Sequence, residues 1–131
     1  MKPTLQEPLY QQGLIVDLYE LTMALGYFSN RYNHNATFEV FVREMPKNRS
    51  YLVTAGLQQI IEYLLNLKFH PDQIAYLKQL SDFRQVDSEF WDFLAEFRFS
   101  GDMWAIPEGQ IVFPGEPLVR ISAPIIQAQV I

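Results

Sequence analysis

The sequence predicts an α+β domain, a mainly antiparallel sheet with helices packed on it, and three observations carry that reading. Apolar residues recur at helical spacing in several segments, most regularly at Leu57, Ile60, Ile61, Leu64 and Leu65. One segment, Ala36 to Arg43, is instead rich in β-branched and aromatic residues and partly alternates. Beyond Gly101-Asp102 the texture changes to short apolar runs divided by Pro/Gly turns.

Taken in order, Leu14, Leu18, Leu21, Leu25 and Phe28 lie at steps of four and three and predict a helix from about Leu14 to Phe28 with one core-facing stripe. Ile15, Tyr19 and Met23 line a second stripe on another side, so this helix needs a second neighbour. The cluster Asn33-His34-Asn35 predicts a turn, and 36–43 a strand ending at Arg43. Pro46 and Lys47 to Ser50 predict a loop, and Tyr51 to Thr54 a short extended piece before Gly56. The run from Leu57 to Leu65 predicts a helix with a core stripe. Pro71 suits the first turn of the next helix, with Ile74, Leu77 and Leu80 on its apolar edge. Asp87 or Ser88 can cap another, on which Phe90, Phe93, Leu94 and Phe97 share a face.

Three short strands are then expected, Met103–Ile106, Gln110–Phe113 and Leu118–Ile121, joined as an antiparallel meander. Pro124 to Ile131 predicts a helix that begins after a proline and carries no stop signal, which suggests that the natural polypeptide continues.

Composition narrows the function classes. With 131 residues, 49% hydrophobic and 19% charged, the chain has enough apolar surface for one folded domain. Its net charge of -5 argues against binding nucleic acid, which needs clustered Lys and Arg. Cysteine is absent, so thiolate chemistry and disulfides are excluded, and a cytoplasmic address is expected. No stretch reaches the roughly 18 apolar residues of a membrane span, and the start lacks the pattern of a secretory signal.

Five segments in sequence resemble nicotinate phosphoribosyltransferases: Asp17-Leu18-Tyr19-Glu20-Leu21-Thr22-Met23; Thr37 to Arg43 with Pro46; Ala55-Gly56-Leu57; Gly101-Asp102-Met103-Trp104-Ala105-Ile106-Pro107-Glu108-Gly109; and Pro117 to Ile121. The resemblance implies the amino-terminal domain of a type II phosphoribosyltransferase over residues 1–123, with 124–131 starting the connection toward an α/β barrel that this chain lacks. It further implies an enzyme that forms nicotinate mononucleotide from nicotinate and phosphoribosyl pyrophosphate, with magnesium and coupled ATP hydrolysis, and that works as a homo-oligomer. The barrel would hold most of the chemistry, so this chain is expected to be inactive alone, to bind no cofactor itself, and to supply a ring-stacking wall and a dimer contact.

Residue by residue, the resemblance places Tyr19 as the ring that stacks on the pyridine, Asp17 as its acidic neighbour, and Arg43 at a basic position near the donor's phosphates. Each has a plainer alternative. Tyr19 could be a packed tyrosine with a wet hydroxyl, Asp17 a carboxylate at a helix start, and Arg43 a solvated strand end or a partner of Glu39 or Glu44. His34 and His70 have no neighbours at metal-ligand spacing. Glu108 and Glu116 read as turn residues that serve solubility. A free-standing interaction or regulatory domain, and a base preference for nicotinamide or quinolinate, remain the alternatives.

Overall fold

The computed structural model describes residues 13–131. Five helices and five strands follow one another: α1 (Leu18–Ser29), β1 (Asn35–Phe41), β2 (Leu52–Val53), α2 (Leu57–Asn66), α3 (Pro71–Leu77), α4 (Ser88–Ala95), β3 (Asp102–Ala105), β4 (Ile111–Val112), β5 (Pro117–Pro124) and α5 (Ile125–Val130). All strand pairs are antiparallel. The α+β expectation therefore holds, while several of its details change.

The first helix begins at Leu18, with Leu14 in the turn before it. Asp17 is the N-cap in extended conformation, and its backbone N–H donates to the Glu20 carboxylate at 3.0 Å, which satisfies one of the donors a helix start leaves open. Leu21 and Ala24 are the residues of α1 that reach the core, with Leu25 and Phe28 half-buried beside them. The helix ends in a Schellman turn: Tyr32 N–H donates to the Tyr27 carbonyl at 2.9 Å and Arg31 N–H to that of Phe28 at 3.0 Å, with Arg31 at φ 52°.

The expected meander does not form. β3 skips β4 and pairs directly with β5, giving a three-stranded sheet in the order β1-β5-β3, while β4 pairs with β2 in a second, two-stranded sheet. Thr54 is the cause. Its hydroxyl donates to the Pro107 carbonyl at 2.7 Å and accepts from Gln110 N–H at 3.0 Å, and its carbonyl accepts from Gly109 N–H at 2.8 Å. Those bonds draw the turn after β3 toward β2 and carry β4 away from its neighbours in sequence.

β1 stops at Phe41, two residues short of the expected end at Arg43. Its register with β5 shifts between Val40 and Phe41, where the facing residue is Pro117. Proline has no N–H to donate, so the ladder has little reason to continue.

The core lies where α1, α3, α4 and α5 meet. Phe90 and Val130 are fully buried, and aromatic rings meet edge to face around them: Phe28 with Phe90 at 5.4 Å and Phe69 with Phe97 at 5.6 Å between centroids. Such pairs add about 0.5–1.5 kcal/mol each beyond the area they bury. Asp87 stands at the N-cap of α4, with no side-chain hydrogen bond to the helix, Pro71 opens α3 and Pro124 precedes α5, at the positions the sequence predicts. The stripe on α2 is different. Leu64 is buried and Leu57 and Ile60 are half-buried, whereas Ile61 and Leu65, the latter 75% exposed, have little cover among the described residues.

Candidate functional site

The start of α1 turns two faces in opposite directions. Leu21 and Ala24 point inward, while Tyr19 stands 57% exposed, with Ile15 and Met23 also exposed on the second stripe. An α-helix advances about 100° per residue, so a segment this apolar cannot hide all its side chains against one neighbour. The stripe that holds Tyr19 is the one left outside.

Glu20 organises this end. One carboxylate oxygen accepts the Asp17 backbone N–H, and the other lies 3.5 Å from the Tyr19 hydroxyl, which donates to it. The negative charge of Glu20, followed by partial desolvation and by Asp17, raises the Tyr19 phenol above its usual value of 10.0. Tyr19 is therefore a neutral ring near pH 7, with an apolar face open to solvent. On α2, Tyr63 is half-buried, and its phenol is raised by burial first and by Glu20 second. A shallow hollow before the helix is lined by Leu14, Ile15, Val16, Asp17 and Glu20.

Asp17 and Tyr19 thus sit together. Arg43 sits elsewhere, exposed in the segment after β1, next to Val42, whose carbonyl accepts from Gly115 N–H at 2.9 Å. Among the described residues no ion pair or hydrogen bond joins Arg43 to Asp17 or Tyr19. Of the plainer alternatives for Arg43, pairing with Glu39 does not form: Glu39 is held by Arg120, directly opposite on β5, at 2.6 Å. Arg43 keeps its guanidinium in solvent.

Two residues read as solvated turn positions carry defined contacts. Glu108 Oε1 accepts backbone N–H groups of Gly56 at 2.9 Å, Leu57 at 2.7 Å and Gln58 at 3.4 Å, so it closes the amino terminus of α2 from a turn about fifty residues away in the chain. Glu116 accepts Phe113 N–H at 2.8 Å within its own turn. The signal for Glu108 was faint: a helix starting at Gly56-Leu57 has no Ser, Thr, Asp or Asn at its N-cap, and an uncapped start calls for a carboxylate from elsewhere. An apolar hollow of about 190 Å³ lies beside this junction, lined among others by Val40, Leu57, Ile60, Ala105 and Val119.

Four of the five resembling segments are therefore joined in pairs. Thr37 to Phe41 and Pro117 to Ile121 pair as strands, and Ala55 to Leu57 is tied to Pro107 to Gly109 through Thr54 and Glu108. No group of three His, Cys, Asp or Glu side chains suited to a metal occurs among the described residues. No helix among them is long and apolar enough to cross a membrane.

Comparison with known proteins places this arrangement. The family model described as the nicotinate phosphoribosyltransferase N-terminal domain matches residues 14–131. A nicotinate phosphoribosyltransferase from Mycobacterium tuberculosis is 45% identical over 119 residues, covering 91% of this chain and 25% of the relative. That of Bacillus subtilis is 36% identical over 120 residues, covering 91% and 24%. The crystal structure of human nicotinic acid phosphoribosyltransferase superposes with a TM-score of 0.78 at 32% identity, over 88% of this chain and 23% of that one. The chain spans about a quarter of the length of these relatives.

Proposed function

Because the chain belongs to the nicotinate phosphoribosyltransferase family, of which it carries the N-terminal domain, we propose that it forms one wall of an active site that makes nicotinate mononucleotide in NAD salvage. In that reaction the pyridine nitrogen of nicotinate attacks the anomeric carbon of phosphoribosyl pyrophosphate, the new C–N bond forms, and pyrophosphate leaves. The transfer needs a flat apolar surface for the ring, cations for carboxylate and phosphates, and a fixed in-line geometry.

The observation that carries the proposal is the outward-facing Tyr19. Its ring is neutral and exposed on a helix whose other side is anchored in the core through Leu21 and Ala24. Such a ring stacks on a pyridine without first breaking a packed interior contact. In this reading Asp17 limits access at the same mouth, besides capping α1. Arg43, exposed and unpaired among the described residues, meets the donor's phosphates, a role charge and exposure permit. A homo-oligomeric enzyme, with the exposed stripe of α1 at the contact between copies, belongs to the same proposal, as does a cytoplasmic location.

Magnesium and ATP enter only with the complete enzyme. The described residues hold no cluster fit for a metal. Nicotinate is proposed as the base over nicotinamide and quinolinate on the strength of the relatives.

The test has two arms. Incubating this chain with nicotinate, phosphoribosyl pyrophosphate, magnesium and ATP should give no mononucleotide above background; steady turnover would overturn the assignment of the reacting groups to residues outside it. In an enzyme of the family carrying this domain, Tyr19→Ala should raise the KM for nicotinate about tenfold, the scale of a lost aromatic stack and its buried area, and shift the melting point by no more than about 3 °C. Unchanged KM with a large loss of stability would return Tyr19 to a packing role. A second reading, a non-catalytic interaction domain, draws on the exposed Ile61 and Leu65 of α2; binding titrations of the complete protein with nicotinate, nicotinamide and quinolinate separate it, since an interaction domain binds none of them.

A further inference from the structure

α2 is held in an unusual way for a helix of ten residues. It shares no extended packing with any other helix or strand, and Leu64 is its sole buried residue. Its carboxyl end runs into Leu67 and Phe69, both buried in the core, which fixes that end. Its amino end has no cap of its own: Gly56 occupies the N-cap at φ 97°, and the N–H groups of Gly56, Leu57 and Gln58 converge on the single carboxylate oxygen of Glu108. The turn that carries Glu108 is in turn gripped by Thr54, immediately before the helix.

From this geometry we infer that Glu108 is a latch, and that α2 is an arm which opens as a unit about its anchored carboxyl end when the latch releases. A helix gains most of its stability from an apolar face packed on something, and the face of α2 is packed only in part: Leu64 is buried and Leu57, Ile60 and Tyr63 are half-buried, while Ile61 and Leu65 stay exposed. What keeps its first turn in place is then mainly the charge-assisted contact with Glu108, strengthened because a carboxylate faces the positive end of the helix. Opening has a consequence for the surface. Leu57 and Ile60 wall the apolar hollow of about 190 Å³ against Val40, Ala105 and Val119, and the hollow already opens to solvent on one side, so lifting the first turn of α2 widens its mouth. Glu108 thereby sets how wide that mouth stands.

Amide hydrogen exchange on the whole chain, read by mass spectrometry, tests this. Hydrogen bonds to a charged group contribute about 1.5–3 kcal/mol and those to a neutral group about 0.5–1.5, so removing the charge while keeping the acceptor oxygen corresponds to roughly a 5- to 13-fold change in an opening equilibrium. Glu108→Gln should accelerate exchange across 57–66 by that factor while peptides from α4 and α5 keep their wild-type rates. Glu116→Gln removes the same charge from a turn that closes on itself, and should leave α2 unchanged. In the wild-type chain, α2 should already exchange at least tenfold faster than α4, a comparison that stands even if a variant fails to fold. Equal protection of α2 and α4, acceleration of every peptide together in Glu108→Gln, or the same acceleration of α2 in Glu116→Gln would each overturn the latch.

Discussion

Replacing Gly101 by alanine adds one methyl group at the junction between α4 and β3, and the structure leaves no space for it. A Cβ built there lies 2.5 Å from the Ala123 Cβ, 2.6 Å from the Ser122 carbonyl oxygen and 2.9 Å from Phe99 Cζ. Carbon atoms pack best at about 3.5–4.0 Å, so about 1 Å must be found. The Phe99 ring can swing, but the other two contacts belong to β5, the middle strand of its sheet. Ser122 is paired with Thr37 on one side and Asp102 on the other, and Ala123 is buried. Relief therefore requires moving backbone that two neighbours hold, which puts the cost at the upper end of the overpacking range, about 3 kcal/mol. With an unfolding entropy of about 2.1 cal/mol/K per residue, that is a fall in Tm of about 10 °C. Gly26 gives the opposite sign from the same substitution: it lies inside α1 with nothing within 4 Å of a built Cβ, so Gly26→Ala should stabilise by about 0.5–1 kcal/mol through helix propensity and a less flexible unfolded chain. Differential scanning calorimetry on both variants decides the matter. If Gly101→Ala melts within about 3 °C of wild type, or if the two variants shift in the same direction, β5 is not wedged against this turn and the reasoning fails.

Three other outcomes follow from the contacts. Arg31→Gly should stabilise by about 0.5 kcal/mol, because a left-handed L-residue costs about 1–2 kcal/mol and the added freedom of glycine in the unfolded chain returns part of it; urea titration reads the change. Glu39→Gln should cost at most about 1 kcal/mol, since the pair with Arg120 is largely open to solvent, and the cost should shrink between 0.1 and about 1 M salt; an undiminished cost at high salt would refute a surface ion pair. Tyr63 has a raised folded-state pKa, so its contribution is fully present below about pH 10, its unfolded value, and is lost as pH rises through the folded value. Melting points measured from about pH 9 to 12 should therefore fall less steeply in Tyr63→Phe than in wild type.

The sequence was most informative where structure is local. Pro71, Asp87 and Pro124 each stand at the start of a helix where the sequence places them, because start signals such as the fixed φ of proline act on the next few residues alone. The exposed stripe of α1 was also legible, since spacing put Tyr19 on a face apart from Leu21. Whether Tyr19 and Arg43 belong to one site was not legible from spacing, and among the described residues no contact joins them.

The sequence alone therefore determined the family, the fold class, the helices and the outward placement of Tyr19. Tertiary structure decided which strands pair, where β1 ends, and what Glu108 does. The regular repeat of α2 stated that it has an apolar face but not whether anything covers it, because periodicity encodes a face and never its partner. Likewise β4 leaves its sequence neighbours for β2 because Thr54 meets the turn that carries Glu108 across some fifty residues of chain, and contacts at that separation exist only once the rest of the domain has folded around them.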